Sequence, residues 1–214
     1  MTRKVFWENP YQTELETHIT TVNGNIITLA DTIFYAFAGG QESDNGTING
    51  IEVLNAEKQE QEIFYTVPDG HDFEIGQPVI LKINWERRYK LMRLHFAAEI
   101  ILELAYQNLE GIEKIGAHIA EDKSRIDFLW DSSIKSAFPM LLEKAHTLIE
   151  ANHKIISAFS DEAQERRYWQ IDGFAKVACG GTHLKKTGEV GEIRLKRKNI
   201  GGGKERIEIY LATP

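Results

Sequence analysis

The chain has 214 residues, 42% of them hydrophobic and 27% charged, with a formal net charge of −7. That length holds one large domain or two smaller ones, and the composition excludes a disordered or collagen-like chain. No apolar run reaches 18 residues, the N-terminal residues lack the apolar core of a secretory signal, and the single cysteine excludes an internal disulfide, so a cytoplasmic protein with no membrane partner is expected.

The first 85 residues read as short strands. Thr17 to Val22 and Asn25 to Leu29 flank Asn23-Gly24, a hairpin signal because both residues tolerate positive φ. Further β-type runs at Thr32 to Phe37, Gly50 to Leu54, Glu62 to Val67 and Pro78 to Ile83 are separated by turn clusters at Gly39-Gly40, Asp44-Asn45-Gly46 and Pro68-Asp69-Gly70. Regular short strands of this kind point to a small barrel or sandwich. At Arg87 the period changes. Leu91, Leu94, Ala98, Ile101, Leu102 and Ala105 describe an amphipathic helix ending before Gly111. Strands are expected at Gly116 to Ala120 and Arg125 to Leu129. A second helix is expected from about Ile134 to Ala151, with Asp131 or Ser132 as N-cap. β-like runs follow at His153 to Phe159, Phe174 to Ala178, Ile193 to Lys198 and Arg206 to Leu211. The expected fold class is α+β: a small β-barrel subdomain over residues 1–86, then an α+β subdomain over 87–214 with an antiparallel sheet and two main helices.

Charge is unevenly spread. From Lys176 to Arg206 there are nine basic residues and three acidic ones, so a chain that is acidic in sum has a basic C-terminal segment. The segment is able to face phosphates, and a solvated strand face explains the same charges.

Cys179-Gly180-Gly181-Thr182-His183 sets a thiol and an imidazole four residues apart across two glycines, which allow the backbone to fold tightly. Thiolate and imidazole are a favoured zinc donor pair. On the first helix His95 and Glu99 stand at i and i+4, on one face, inside an apolar stretch. Taken singly, His95 reads equally as a core histidine and Glu99 as a surface carboxylate.

These blocks resemble the editing domain of alanyl-tRNA synthetases and their free-standing AlaX-type relatives. Asn84 to Tyr89 with Met92 to His95 is similar to the family's entry to its helix. Gly116-Ala117-His118 and Arg125 to Phe128 look like the following strand pair, and Cys179 to His183 with Thr187 to Gly191 matches the C-terminal signature. Asp31 to Tyr35, Gly39-Gly40-Gln41 and Asp44 to Gly46 resemble its glycine-rich loop. The matches are ordered over roughly residues 28 to 209. Ala36-Phe37-Ala38 departs from that loop, and Glu99 stands where the family carries a second helical histidine.

The resemblance implies a trans-acting hydrolase that deacylates mischarged tRNA, above all alanine tRNA carrying serine or glycine. One zinc ion would be held by His95, Glu99, Cys179 and His183, which are also the expected catalytic residues. Glu99 leaves three outcomes open: a direct ligand, a group behind the ligands, or a site that has lost its metal. The alternatives are a deacylase for another mischarged tRNA and a non-catalytic aminoacyl-tRNA-binding module. Thr32, Gly39, Gly40 and Gln41 are the implied substrate residues, with Thr32 meeting the serine hydroxyl. Arg87, Arg88, Arg93, Lys185, Lys186, Lys196, Arg197, Lys198 and Lys204 are the expected contacts to the tRNA acceptor end. The protein is expected to be a monomer or homodimer.

Overall fold

The computed structural model describes residues 1–212. They form two compact units, Met1–Tyr89 and a second beginning at Lys90. The first contains β1 (Arg3–Lys4), the helical turn α1 (Val5–Glu8), β2 (Glu14–Asn23), β3 (Ile26–Leu29), β4 (Asp31–Thr32), β5 (Gly46–Ile48), β6 (Ile51–Glu52), β7 (Asn55–Gln59), β8 (Glu62–Thr66) and β9 (Pro78–Ile83). Seven strands pair in the order β6-β5-β9-β2-β3-β8-β7, and β1 and β4 make a short parallel pair. β2 supplies the bend. Its first half pairs with β9 and its second with β3, with a register break between Ile19 and Thr21. Alternation then puts one face inside: along β9, Val79, Leu81 and Ile83 are buried while Pro78, Ile80 and Lys82 are exposed. The sheet curls into a half-barrel. Among the described residues no ladder joins its edges β6 and β7, so the expected small barrel is an open one; β7 is met by a single bridge between Phe37 and Glu57.

Two local expectations shift. The hairpin turns on Gly24-Asn25, because Asn23 already pairs with Ile26, and only Gly24 takes positive φ (58°). The expected strand Thr32 to Phe37 ends at Thr32; Ile33, Phe34, Tyr35 and Ala36 are buried in the core but pair with no strand. Burial, not a ladder, accounts for their apolar run.

The second unit is built on α2 (Trp85–Asn108), whose first turn lies in the first unit. The remaining elements are β10 (Glu113–Ile119), β11 (Ser124–Leu129), a 3₁₀ turn at Ile134–Ala137, α3 (Phe138–Glu150), β12 (Ile156–Asp161), β13 (Arg166–Ile171), β14 (Ala175–Ala178), a second 3₁₀ turn at Thr187–Val190, β15 (Ile193–Gly201) and β16 (Lys204–Leu211). They form two antiparallel sheets, β10-β11-β16-β15 and β12-β13-β14. α2 is not amphipathic in its middle. Phe96, Ala97, Ile100, Ile101 and Ala105 are all fully buried, so it is a core helix with apolar residues around its circumference. Neither Asp131 nor Ser132 caps the second helix. The Ile134 N–H instead donates to the Glu205 carboxylate of β16 (3.4 Å), a partner far away in sequence. No helix among the described residues is long and apolar enough to cross a membrane.

Candidate metal centre

A polar group in the middle of a core helix must find partners or carry a desolvation penalty. His95 and Glu99 do so one turn apart on α2, where His95 is 6% exposed. The partners come from the segment after β14. The Cys179 N–H donates to the Arg167 carbonyl of β13 (3.0 Å), extending the ladder by one bond. Thr182 and Leu184 are buried on either side of His183. The chain beyond is tied back by the Ile155 N–H to the Lys185 carbonyl (2.9 Å) and the Thr187 N–H to the His153 carbonyl (2.9 Å). Sequence distance is thus closed by a three-stranded meander and two backbone bonds.

Donor atoms of His95, Cys179 and His183 all lie within 4.8 Å of one another, a group able to hold a metal ion. His95 Nε2 is 3.4 Å from Cys179 Sγ, and His183 Nε2 is 3.3 Å from the same sulfur. Ligands around a tetrahedral zinc stand roughly 3.3–3.6 Å apart, given bonds of about 2.0–2.3 Å. Both distances to the sulfur fit that frame. On its far side, His183 Nδ1 is hydrogen bonded to Ser157 Oγ (3.0 Å), which fixes the ring so that Nε2 faces the sulfur. Glu99 stands outside the set of three, but its Oε1 accepts a bond from His95 Nε2 (3.2 Å).

The charges are coupled. Burial depresses His95, but the Cys179 sulfur and then Glu99 outweigh it and push its pKa up to about 10. Burial raises Glu99, yet the bond to His95 and its charge bring the carboxylate down to about 2. Burial and the charge of His95 hold His183 down to about 3, a neutral imidazole with a free lone pair. Arg167, stacked over the Phe159 ring at 4.6 Å, adds a buried positive charge that acts on both Cys179 and His183. Ser157 and Arg167 were not visible in the sequence; neither has a fixed spacing to the ligands, and only the meander β12-β13-β14 brings them in.

The other expected site residues divide. In the first unit, Ala38 and Gln41 exchange backbone bonds (3.0 and 3.3 Å) around Gly39 and Gly40, whose φ values of 58° and 84° form a two-residue turn closed to most residues. Thr32 is fully buried, its hydroxyl 2.5 Å from the Tyr65 phenol and accepting the Phe34 N–H (2.9 Å). Arg88, expected on tRNA, is instead fully buried. Its Nε and Nη2 grip both oxygens of Asp44, while Nη1 and Nη2 donate to the carbonyls of Pro10 (2.9 Å) and Ile33 (2.6 Å). With its guanidinium enclosed this way, it clamps the loop and cannot reach a phosphate. Arg87 pairs with Glu42 (2.8 Å), Arg93 donates to the Val190 carbonyl (3.0 Å) and Arg197 pairs with Glu205 (2.5 Å). Lys185, Lys186, Lys196, Lys198 and Lys204 are exposed.

A helix histidine and a later cysteine–histidine pair, set on an α+β frame, form a candidate metal site. Residues 168–208, which hold Cys179 and His183, match the threonyl and alanyl tRNA synthetase second additional domain. The chain is 35% identical, over 99% of its length and 98% of the relative's, to the alanyl-tRNA editing protein AlaX-M of Pyrococcus horikoshii. It is 32% identical over 97% of its length to an alanine–tRNA ligase of Methanococcus maripaludis and 31% identical over 99% to that of Ignicoccus hospitalis, spanning 26% of each ligase. The protein belongs to the AlaX family of alanyl-tRNA editing proteins.

Proposed function

We propose that this protein is an aminoacyl-tRNA deacylase that hydrolyses the ester of alanine tRNA mischarged with serine, and of the glycine ester as a second substrate, with zinc bound at its His95/Cys179/His183 site. The observation that carries the reading is the convergence of three donors from α2 and the post-β14 loop in a chain of this family. Zinc, when bound, would supply Lewis acidity and, by expanding its shell or releasing a ligand, lower the pKa of a coordinated water toward about 7.

Glu99 is the fourth ligand in this reading. A carboxylate serving from behind a ligating histidine takes the ring nitrogen that points away from the metal. Glu99 instead meets Nε2, the nitrogen that also faces Cys179, while the buried Nδ1 of His95 has no hydrogen-bond partner among the described residues. The carboxylate therefore sits on the ligand side of the ring. Ser157 holds the His183 ring, and the charge of Arg167 helps to keep that ring neutral. Recognition of the amino acid is assigned to Thr32 and the Gly39-Gly40-Gln41 turn. A serine hydroxyl competes with the Tyr65 phenol for Thr32 Oγ1, and alanine, lacking a hydroxyl, cannot.

The test is deacylation across alanine tRNA charged with serine, glycine or alanine, and a mischarged threonine tRNA. The expected result is hydrolysis of the serine ester, with the alanine ester spared by at least tenfold and the threonine tRNA untouched. In Thr32→Val the serine-to-alanine preference falls. Equal rates on serine and alanine esters, or discrimination unchanged in Thr32→Val, would overturn the substrate assignment.

A further inference from the structure

The basic C-terminal segment is not one patch. β15 is an edge strand of the β10-β11-β16-β15 sheet, and its side chains alternate between two faces. Ile193, Leu195 and Arg197 turn to the face that carries the buried Ile207 and Ile209, and there Arg197 is held by Glu205, itself 3% exposed. Arg194, Lys196 and Lys198 turn to the other face and are exposed. They stand opposite Tyr210, Glu208 and Arg206 of β16, with Arg125 and Asp127 of β11 behind.

The carboxylates of this outer face are already committed. Asp127 takes Arg206 (2.5 Å) and Arg125 (2.5 Å), and Glu208 takes Lys123 (2.8 Å). Arg194, Lys196 and Lys198 form no ion pair among the described residues, and Lys196 lies over the Tyr210 ring at 4.8 Å. The result is a row of three cations without a close ion pair, Lys198 acting on Glu208 only at longer range, spaced by about 6.8 Å along one strand, close to the spacing of successive phosphates on a nucleotide strand. A surplus of this kind stands out on a chain whose net charge is −7.

We propose that the outer face of β15, β16 and β11 docks the phosphodiester backbone of tRNA, with Arg194, Lys196 and Lys198 as the phosphate contacts and Arg197 excluded. This rests on the reading that the protein acts on tRNA. It goes further in naming the surface and in dividing residues that are consecutive in sequence between two roles. Phosphate contacts of this type are insensitive to sequence and set the register of the duplex.

The experiment measures binding of uncharged alanine tRNA by fluorescence anisotropy at several salt concentrations. It compares wild type, the triple variant Arg194→Ala/Lys196→Ala/Lys198→Ala, each single change, and Arg197→Gln. Each lost phosphate contact reduces the slope of log K against log[salt] by about 1, so the triple variant loses about 3 units of slope and binds at least tenfold more weakly. Arg197→Gln keeps the wild-type slope and affinity. Lysines on an edge strand also guard against strand-to-strand aggregation. A triple variant that aggregates while its soluble fraction binds tRNA with wild-type slope overturns the docking face. So does anionic-vesicle binding that is lost in the triple variant while tRNA binding is kept. Should wild type fail to bind tRNA at all, the functional reading falls with it; wild-type binding with an unaltered triple variant removes this surface alone.

Discussion

The loop from Ile33 to Asn45 in the first unit and the loop from Cys179 to Lys186 in the second each contain adjacent glycines and a buried polar group, yet they are closed by opposite means. In the first, Arg88 and Asp44 neutralise each other, and three further backbone bonds, from the Tyr35 N–H and to the Pro10 and Ile33 carbonyls, complete the cluster. In the second, the donor atoms of His95, Cys179 and His183 converge within 4.8 Å, a group able to hold a metal ion, with the Glu99 carboxylate bonded to His95. A polar cluster whose donors and acceptors balance is a fastening. One that gathers a sulfur and two imidazoles at metal-ligand spacing is a candidate site.

That contrast breaks most visibly at Arg88. Arg88→Met leaves Asp44 as an unpaired buried carboxylate and should cost about 3–5 kcal/mol of unfolding free energy in urea titration. Arg88→Met with Asp44→Leu should recover most of it, and a double variant as unstable as the single would show that the cluster is more than a fastening. The next effect lies in the candidate site. Glu99→Gln keeps the shape but removes the charge, and zinc affinity in a chelator competition should fall by at least about tenfold; unchanged affinity would place Glu99 outside the ligand set.

In metal-stripped protein the candidate site makes stability pH-dependent on both sides. His95, raised from 6.5 to about 10, contributes stability that is complete below pH 6.5 and is lost as pH rises to about 10. His183, lowered from 6.5 to about 3, and Glu99, lowered from 4.5 to about 2, cost stability as pH falls through those windows. Unfolding free energy of the stripped protein should therefore peak near pH 6.5, and Cys179→Ala should flatten the alkaline limb. A monotonic profile would contradict the coupling.

The smallest effects separate the glycines. Gly39→Ala, at φ 58°, should cost about 1 kcal/mol, whereas Gly180→Ala should be close to neutral in thermal melts, because its φ is not positive and an added Cβ meets no atom within 4 Å. The Gly39-Gly40 pair is needed for backbone conformation. At Gly180 neither the backbone conformation nor the surrounding space requires glycine. The two dipeptides are identical in sequence, and only the structure tells them apart.

The same limit governs how much was legible beforehand. Long, strongly patterned elements were: α2, β9, β11 and β16 fall close to where periodicity places them. His95, Cys179 and His183, the three donors that converge, were also legible, because four-residue spacing on a helix and in a glycine loop marked them and the family resemblance joined the two segments. β7, with the sequence Asn55-Ala56-Glu57-Lys58-Gln59, and β13, with two arginines, were missed because their pairing comes from neighbours and not from alternation of their own. Ser157, Arg167 and Glu205 were missed for the same reason: each acts on a partner at least eight residues away across a strand. The charge of Arg88 suggested a surface role, since burial of an arginine depends on a carboxylate 44 residues upstream.

The central claim is that His95, Cys179 and His183 hold a metal ion on which tRNA deacylation depends. The most direct measurement is zinc content by elemental analysis, paired with deacylation of serine-charged alanine tRNA, for wild type and Cys179→Ala. The account predicts about one zinc per chain and measurable hydrolysis in the wild type, with both lost in a folded Cys179→Ala protein. Equal zinc content and equal hydrolysis in the two proteins would contradict it.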